Sequence, residues 1–546
     1  MLPLRSRSLG GAEPLTLHAR SVIFGMALTI GAAGIGYLAH PSPKQQVLQV
    51  GSLAPGQAGI GSDGGVVPGS GGQALSSVSG GAGSGSTLAG SSKMAGAGSS
   101  GAGSAASGGA GGGAGGGTTA AAAEKSGQLS YGPLRATDQG VTKDGIKLGF
   151  LIANTNQLSA AGFNAGLAGD QTKIITAWTN EINRTGGVLG RKLSAYSQTF
   201  NVLDANDMQA ACKTMTQDQK VFSVITTGGY DSVAQLCIAK ENKTPFISTD
   251  PEPASWYKQA APYMWATFMN KDRLALNQAK WLATYKYLHP NDKVGVIYHD
   301  IPNVAPSVEG SLLPALNANG IHPVDVVKLV SDSNQALAQV SNAVLDMRQK
   351  GVTFVIFEMN LIYKSKFMQE ADKEQWHPRY TDSDEYFGCG DFVTSAYPPS
   401  QFDGTQCLGT TLSGLKNADQ LTNAFTKYCD EVYKRTYPQG YATEGSNKSN
   451  QDTQRLLNYQ MGSEILLWKQ AAERAGTQLT RALWGKAMGM TGRYAQQVVF
   501  CSMTFGPNKW DGSDELSVAQ WHAEASDGFA ADKFHQNPPG CFKNYY

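Results

Sequence analysis

The stretch TNEINRTGGVLGRKL, residues 179–193, gives the strongest indication of the fold. Hydrophobic residues at helical spacing precede Gly186 and Gly187, and the strand-like run KLSAYS begins at Lys192. A phosphate-binding loop lies between a strand and the following helix, so that amides at the helix N-terminus face the anion. Here the glycines follow a helix and precede a strand. The pattern therefore predicts a structural turn that ends a helix, and it excludes a P-loop.

On both sides of this turn, short apolar runs alternate with amphipathic ones. Predicted strands are 146–152, 192–197, 221–226, 245–248, 294–299, 323–329 and 353–358. Predicted helices are 164–184, 206–217, 231–241, 272–287, 305–319, 334–349, 418–435 and 453–474, with weaker strands near 498–504 and 519–525. Strands separated by such helices predict α/β architecture with parallel sheets covered on both faces. Because the pattern restarts after about residue 265, we expect two similar lobes.

The N-terminal part has a different composition. Residues 21–39 form an uncharged run of membrane-spanning length, preceded by Arg5, Arg7 and Arg20. We expect a transmembrane signal anchor with a cytoplasmic N-terminus at residues 1–20, and a cleaved signal peptide is the alternative. Residues 40–130 are rich in Gly, Ala and Ser and predict a disordered linker. Either alternative places the rest of the chain outside the membrane, on the extracytoplasmic face or secreted.

The chain is 546 residues long with a formal net charge of +1, so no charge surplus points to nucleic acid. Its seven cysteines contain no C-x-x-C pair, and its eight histidines lack ligand spacing, so neither a metal nor a cofactor is predicted. Cysteines in an extracytoplasmic chain favour disulfides. We predict Cys212–Cys237, because the two residues lie in consecutive helices on one sheet. Proximity in sequence favours Cys389–Cys407 and Cys501–Cys541, leaving Cys429 free.

Enzyme signatures are weak. The sequence contains no H-E-x-x-H and no serine in a strand-turn-helix elbow. Carboxylates follow predicted strands at Asp250 and Glu252, and again at Asp382, Asp384 and Glu385. Open α/β sheets bind ligands at this end of their strands. Without a partner nucleophile or metal, these carboxylates favour a binding site over a catalytic one.

The helix ending EINRTGGVLGRKL, followed by an Asp-rich turn, DQKVFSVITTGG and TPFIST, resembles the type I periplasmic solute-binding proteins. Within them it is most similar to the leucine/isoleucine/valine-binding branch. The resemblance covers roughly 145–525, and FGPNKWDGSDELSVAQWHAE fits the family's closing hairpin. It implies two Rossmann-like lobes joined by three crossovers, with a hinge and an interlobe cleft. By this resemblance, 143–265 with about 400–495 form the first lobe, and 266–400 with about 496–546 form the second.

The resemblance also implies ligand contacts by position. In the first lobe these are Phe163, Tyr230, Asp231, Ser232, Ser248, Thr249 and Asp250. In the second lobe they are Glu358 and Asn360, with Asp384 or Glu385 pairing with a substrate ammonium. Two loops depart from the family pattern, Asn154-Thr155-Asn156 and Gly228-Gly229-Tyr230. Three acidic residues, Asp250, Glu358 and Asp384, favour a solute with an amine or several hydroxyls.

The expected function is therefore extracytoplasmic binding of a small polar solute, an amino acid or an amide-like compound, by closure of the two lobes. An ABC permease or a membrane sensor would receive the closed form. The alternatives are a membrane-tethered sensory or scaffold protein that uses the same fold without transport, and an enzyme on a similar scaffold.

Overall fold

The computed structural model describes residues 127–154, 170–285, 287–383, 396–410, 424–441, 448–496, 502–523, 534–536 and 541–543. The predicted anchor at 21–39 and nearly all of the predicted linker lie outside these residues. No helix within the described ranges is long and apolar enough to span a membrane.

The first lobe is built on a parallel sheet of five strands in the order β2-β1-β3-β4-β5. Its strands are β1 (Gly145–Asn154), β2 (Lys192–Asn201), β3 (Ser223–Thr226), β4 (Phe246–Ser248) and β5 (Met264–Ala266). The helices between them are α1 (Gln171–Arg184), α2 (Ala205–Lys213), α3 (Ala234–Leu236) and α4 (Ala254–Ala260). Residues Thr214–Asp218 and Cys237–Glu241 continue α2 and α3 as π-helical turns. The α/β architecture with parallel strands is confirmed.

The turn after α1 is structural. Gly186, Gly187 and Gly190 all adopt positive φ, the backbone region that glycine enters without a steric penalty. A Cβ at Gly187 would lie 2.1 Å from the carbonyl oxygen of Arg191. The Arg191 side chain is buried and donates to the backbone carbonyls of Thr142, Arg135 and Thr477. The turn therefore joins the N-terminal segment of the lobe to the segment after the long helix described below.

The second lobe is built on an eight-stranded sheet within the described residues. Its strands are β6 (Val294–His299), β7 (Asp325–Leu329), β8 (Phe354–Glu358), β9 (Arg379–Ser383), β10 (Gln406–Gly409), β13 (Glu515–Trp521), β14 (Phe534–Gln536) and β15 (Phe542–Lys543). Strands β6 to β10 pair in parallel, whereas β13 runs antiparallel to β10, β14 and β15. The sequence placed a lobe boundary near residue 400. Strand β10 lies after that point, but it pairs with β9 and β13 in the sheet of the second lobe.

Helices cover both sheets. The second lobe contains α5 (Lys271–Thr284), α6 (Ala305–Ser307), α7 (Leu313–Ala318), α8 (Ser333–Gln349), α9 (Leu361–Lys373) and α10 (Pro399–Phe402), with Val308–Leu312 as a π-helical turn between α6 and α7. The chain then returns to the first lobe as α11 (Ala424–Thr436), α12 (Lys448–Ala475) and α13 (Arg481–Met488). A Cβ at Gly462 of α12 would lie 2.3 Å from the ring of Trp178, so this glycine permits close packing of α12 on α1.

The chain passes between the lobes three times: between β5 and α5, between β10 and α11, and between α13 and β13. The third passage includes the hairpin β11 (Gly492–Arg493) and β12 (Thr504–Phe505). The connecting segments of the first and third passages are hydrogen-bonded to each other. The Ala266 amide donates to the Trp510 carbonyl at 3.0 Å, and the backbone and side-chain amides of Asn270 both donate to Asp511 Oδ2 at 3.0 Å.

The predicted disulfide Cys212–Cys237 is confirmed and joins α2 to the segment after α3. Cys429 is unpaired and buried, also as predicted. Cys407 and Cys541 are each disulfide-bonded. Their predicted partners, Cys389 and Cys501, lie outside the described residues, so these two pairings remain predictions.

Candidate functional site

The carboxyl ends of the parallel strands place several loops of the first lobe at one edge of its sheet. The loop after β3 contains Gly228 and Gly229, both with positive φ. The buried carboxylate of Asp250, in the loop after β4, accepts from the amides of Gly229 (2.8 Å) and Tyr230 (2.9 Å). These two hydrogen bonds from backbone amides to Asp250 hold the glycine loop in place. Burial, with a smaller contribution from the charge of Asp231, raises the pKa of Asp250 to about 7.

Tyr230 is not placed as the resemblance implies. Its side chain is fully buried, packs edge-on against Phe200 and Phe246, and donates its hydroxyl hydrogen to the carbonyl of Met208. Burial raises the pKa of this phenol well above its ordinary value. The Tyr230 side chain is therefore part of the first-lobe core, and its hydroxyl is not available to a solute.

Asp231 lies where the two lobes meet. Its Oδ1 accepts from the ammonium of Lys271 at 3.0 Å and from the side-chain amide of Asn303 at 2.6 Å. Asn303 is buried in the loop after β6, so this second bond joins the first lobe to the second. Val202, after β2, also packs against hydrophobic clusters of both lobes.

Lys271 neutralises two carboxylates at once. It is the first residue of α5, it is 1% exposed, and its ammonium lies 3.0 Å from Asp231 and 3.7 Å from Glu252 Oε2. Glu252 is fully buried and its Oε1 also accepts from Gln235 at 2.7 Å. Asp231 and Glu252 are therefore already matched by donors of the chain itself.

The three predicted serine and threonine contacts of the first lobe are all buried. Ser232 Oγ accepts from the Ala234 amide, and Ser248 Oγ accepts from the Asp250 amide at 3.0 Å. Both hydroxyls therefore stabilise local turns. Thr249 Oγ1 is buried and makes no hydrogen bond to the described residues.

In the second lobe, Glu358 is buried at the carboxyl end of β8. Asn360 caps α9, because its Oδ1 accepts from the amides of Ile362 and Tyr363. The cap commits the side-chain oxygen of a residue that the resemblance assigns to the ligand. The main role of the Asn360 side chain is therefore to cap the N-terminus of α9.

A buried ion pair lies beside these residues. Asp382 at the end of β9 pairs with Lys364 of α9, and both side chains are fully buried. Asp382 also accepts from the Ser383 amide at 2.8 Å. Burial raises the pKa of Asp382, and the charge of Lys364 opposes that shift. This pair ties α9 to the start of the segment that carries Asp384 and Glu385.

Phe163, Asp384 and Glu385 lie outside the described residues, so their roles stay predictions. Three residues that organise the site were not among the predictions, namely Lys271, Asn303 and Lys364. Asn303 follows a strand, and its position could have been found by the same rule that selected Asp250 and Glu358. Lys271 and Lys364 lie in helices, and their sequence positions carry no such signal. In the described ranges, no group of three or more His, Cys, Asp or Glu side chains could hold a metal ion.

No protein-family model matches the sequence, and comparison with curated proteins finds no significant match. Solved structures do match the fold. A fatty acid ABC transporter substrate-binding protein from Thermomonospora curvata aligns over 75% of this chain and 95% of its own, with a TM-score of 0.55 and 17% identity. A branched-chain amino acid ABC transporter protein from Thermus thermophilus with bound valine aligns over 74% and 98%, with a TM-score of 0.53 and 13% identity.

A third match is a solute-binding protein of an ABC transporter from Rhodopseudomonas palustris BisB5 in complex with 3,4-dihydroxybenzoic acid. It aligns over 73% of this chain and 98% of its own, with a TM-score of 0.52 and 14% identity. The three proteins are described with chemically different solutes, and their identities to this chain are low, so the similarity concerns architecture. From residue 127 onward, the described chain has the fold of ABC-transporter substrate-binding proteins, which include leucine/isoleucine/valine-binding proteins.

Proposed function

We propose that this chain is a binding protein, not an enzyme, that captures a small polar solute between its two lobes. The observation that carries the proposal is the meeting of strand-end loops from both sheets, where Asp231 of the first lobe accepts from Asn303 of the second at 2.6 Å. A solute that contacts both sets of loops favours the closed arrangement by its differential affinity for that state. An amino acid or an amide-like compound fits the size and polarity expected of such a solute.

We further propose that the binding domain works outside the cytoplasmic membrane. Residues 21–39 would anchor it, or would be cleaved as a signal peptide, and residues 40–130 would act as a flexible tether. A flexible coil of that length has a reach on the order of 50 Å. Tethering keeps the domain at high effective concentration near a membrane partner, and an ABC permease is the partner that this fold favours.

A second candidate function is a tethered sensor or scaffold that retains the fold without transport and has lost the solute pocket. The observation that favours it is the internal use of groups expected at the ligand. The Tyr230 hydroxyl, the Asn360 amide oxygen and both Asp250 oxygens are all bonded within the chain. This candidate predicts no solute-dependent stabilisation.

A thermal-shift screen of the purified chain against amino acids, amides, sugars and carboxylates separates the two candidates. A solute present at a hundredfold above its dissociation constant should stabilise the folded chain by about 2.7 kcal/mol. The variant Asn303→Ala should weaken that solute's binding, whereas Asn291→Ala, an exposed change in the second lobe, should not. If no solute stabilises the chain, the sensor or scaffold is favoured over the solute-binding protein.

A further inference from the structure

A cavity of about 290 Å³ lies beside two of the segments that connect the lobes. Its walls come from α4, from the start of α5 and from residues 508–511 before β13. None of the solute-contact residues considered above is among its lining residues. The size is close to the lower limit of pockets that hold small molecules. The cavity is therefore separate from the strand-end loops, although Tyr257 in its wall accepts from the Glu252 amide at 3.2 Å.

Two acceptors of the cavity, the Asp511 carboxylate and the Asn270 side-chain oxygen, are already used. Asp511 Oδ2 receives the backbone and side-chain amides of Asn270 and also Arg273 Nη1. The Asn270 oxygen accepts from the Arg273 amide at 3.0 Å. A ligand that needs a strong acceptor would therefore have to displace an existing partner, which makes a cationic ligand a poor fit.

Several donors, in contrast, remain open. Among the described residues, Arg273 bonds through Nη1 only, to Asp511 and to the Ser513 carbonyl, which leaves its Nε and Nη2. Asn508 is exposed, and within the described ranges neither its amide nor the indole N–H of half-buried Trp510 makes a hydrogen bond. The ammonium of Lys509 contributes less, because it donates to three backbone carbonyls and pairs with Asp514.

The same wall provides flat apolar surface. Trp510 packs in part against hydrophobic clusters of the first lobe while its remaining surface lines the cavity, whereas Tyr257 is 1% exposed and adds little surface. A guanidinium and an amide next to an aromatic ring form a combination that recognises a carboxylate attached to a flat or short apolar group. We propose that this cavity is a second binding site, for a small carboxylic acid with an aromatic or short apolar body.

Sodium benzoate is the probe, and the full chain labelled with 5-fluorotryptophan is the reporter. The chain has nine tryptophans, and the resonance that disappears in Trp510→Phe identifies Trp510 in the ¹⁹F spectrum. Benzoate should shift the Trp510 resonance in a saturable way. Benzamide, which keeps the ring and lacks the charge, should bind about tenfold more weakly, because it loses the charge-assisted hydrogen bonds.

Asn508→Asp tests the donors without disturbing the core, because this side chain is exposed. The new carboxylate should weaken benzoate binding by about tenfold, whereas the control Asn291→Asp should leave it unchanged. The proposal is overturned if benzoate does not shift the Trp510 resonance, if benzamide binds equally well, or if Asn508→Asp binds like the wild type. A benzoate response confined to other tryptophans would also overturn it.

Discussion

At the residue scale, the glycines after α1 show how one turn determines the local fold. Gly186 and Gly187 both have positive φ, but their surroundings differ. A Cβ at Gly186 meets no atom within 4 Å, whereas one at Gly187 would clash with the Arg191 carbonyl at 2.1 Å. Substitution of Gly186 therefore tests backbone strain alone, whereas substitution of Gly187 tests backbone strain together with steric overlap.

We predict that Gly186→Ala lowers the free energy of unfolding by about 1 to 2 kcal/mol, the cost of a left-handed conformation. Gly187→Ala should cost about 1 to 3 kcal/mol more, because the Arg191 backbone must also move. Denaturant unfolding of both variants measures the difference. Equal stabilities would show that the Arg191 backbone moves aside without cost.

Arg191 provides a second residue-scale prediction. Its guanidinium donates to three backbone carbonyls, those of Thr142, Arg135 and Thr477. Arg191→Ala should lower the free energy of unfolding by about 2 to 4 kcal/mol, because these acceptors lose a charged donor in a buried site. The neighbouring exposed Lys192→Ala is the matched control and should change stability by less than about 0.5 kcal/mol. A small effect of both would contradict a structural role for the turn.

Asp250 should make stability depend on pH. Its pKa in the folded chain, about 7, is above the ordinary value for an unfolded chain of about 3.9. A raised pKa means that the protonated side chain favours folding, so this contribution is complete below about pH 4 and is lost as the pH rises through 7. Relative to Asp250→Asn, the wild type should lose about 1 kcal/mol per pH unit in that range. Urea unfolding at several pH values tests this, and a difference independent of pH would refute it.

At the element scale, the sequence pattern located most of the regular structure. The strand VGVIYH is β6 residue for residue, and the predicted helix 334–349 differs from α8 by one residue. Strands β5 and β10 were not predicted, and no bounds were given for the strand expected before Asp384, which is β9. They have three to five residues each, too few for periodicity to separate a buried strand from a loop. Their positions depend on pairing with neighbours that are distant in sequence.

The candidate site was less predictable for a physical reason. The rule for strand ends identifies which loops lie at the sheet edge, and Asp231 and Asp250 do lie there. It does not determine which way a side chain points, so Tyr230 proved to be a core residue and Asn360 a helix cap. Nor does it find partners such as Lys271, which reaches the site from a helix.

The disulfide between α2 and the segment after α3 carries an element-scale prediction. It closes a loop with a sequence separation of 25, and both cysteines are buried. The double variant Cys212→Ala/Cys237→Ala should lose roughly 3 kcal/mol of stability, mainly because the unfolded chain regains conformational freedom. Cys429→Ala, a buried free cysteine, is the control and should lose less. A control loss as large as that of the double variant would contradict this account.

At the scale of the whole molecule, a hydrogen bond between Asp231 and Asn303 joins strand-end loops of the two lobes. Asn303 donates to Asp231, and a hydrogen bond to a charged group contributes about 1.5 to 3 kcal/mol. If this bond belongs to the closed state, Asn303→Ala should weaken solute binding about tenfold or more without changing the fold. Titration calorimetry with the solute found by the screen checks this. An unchanged affinity would mean that the bond does not contribute to closure.

The central claim is that a solute draws the two lobes together. Spin labels at Asp218→Cys in the first lobe and Asn342→Cys in the second measure this most directly, because both positions are exposed and the native free cysteine is buried. Pulsed electron paramagnetic resonance gives the distance between the labels with and without the solute. The distance distribution should shift when the solute saturates the chain. A distribution that stays the same at saturation would contradict it.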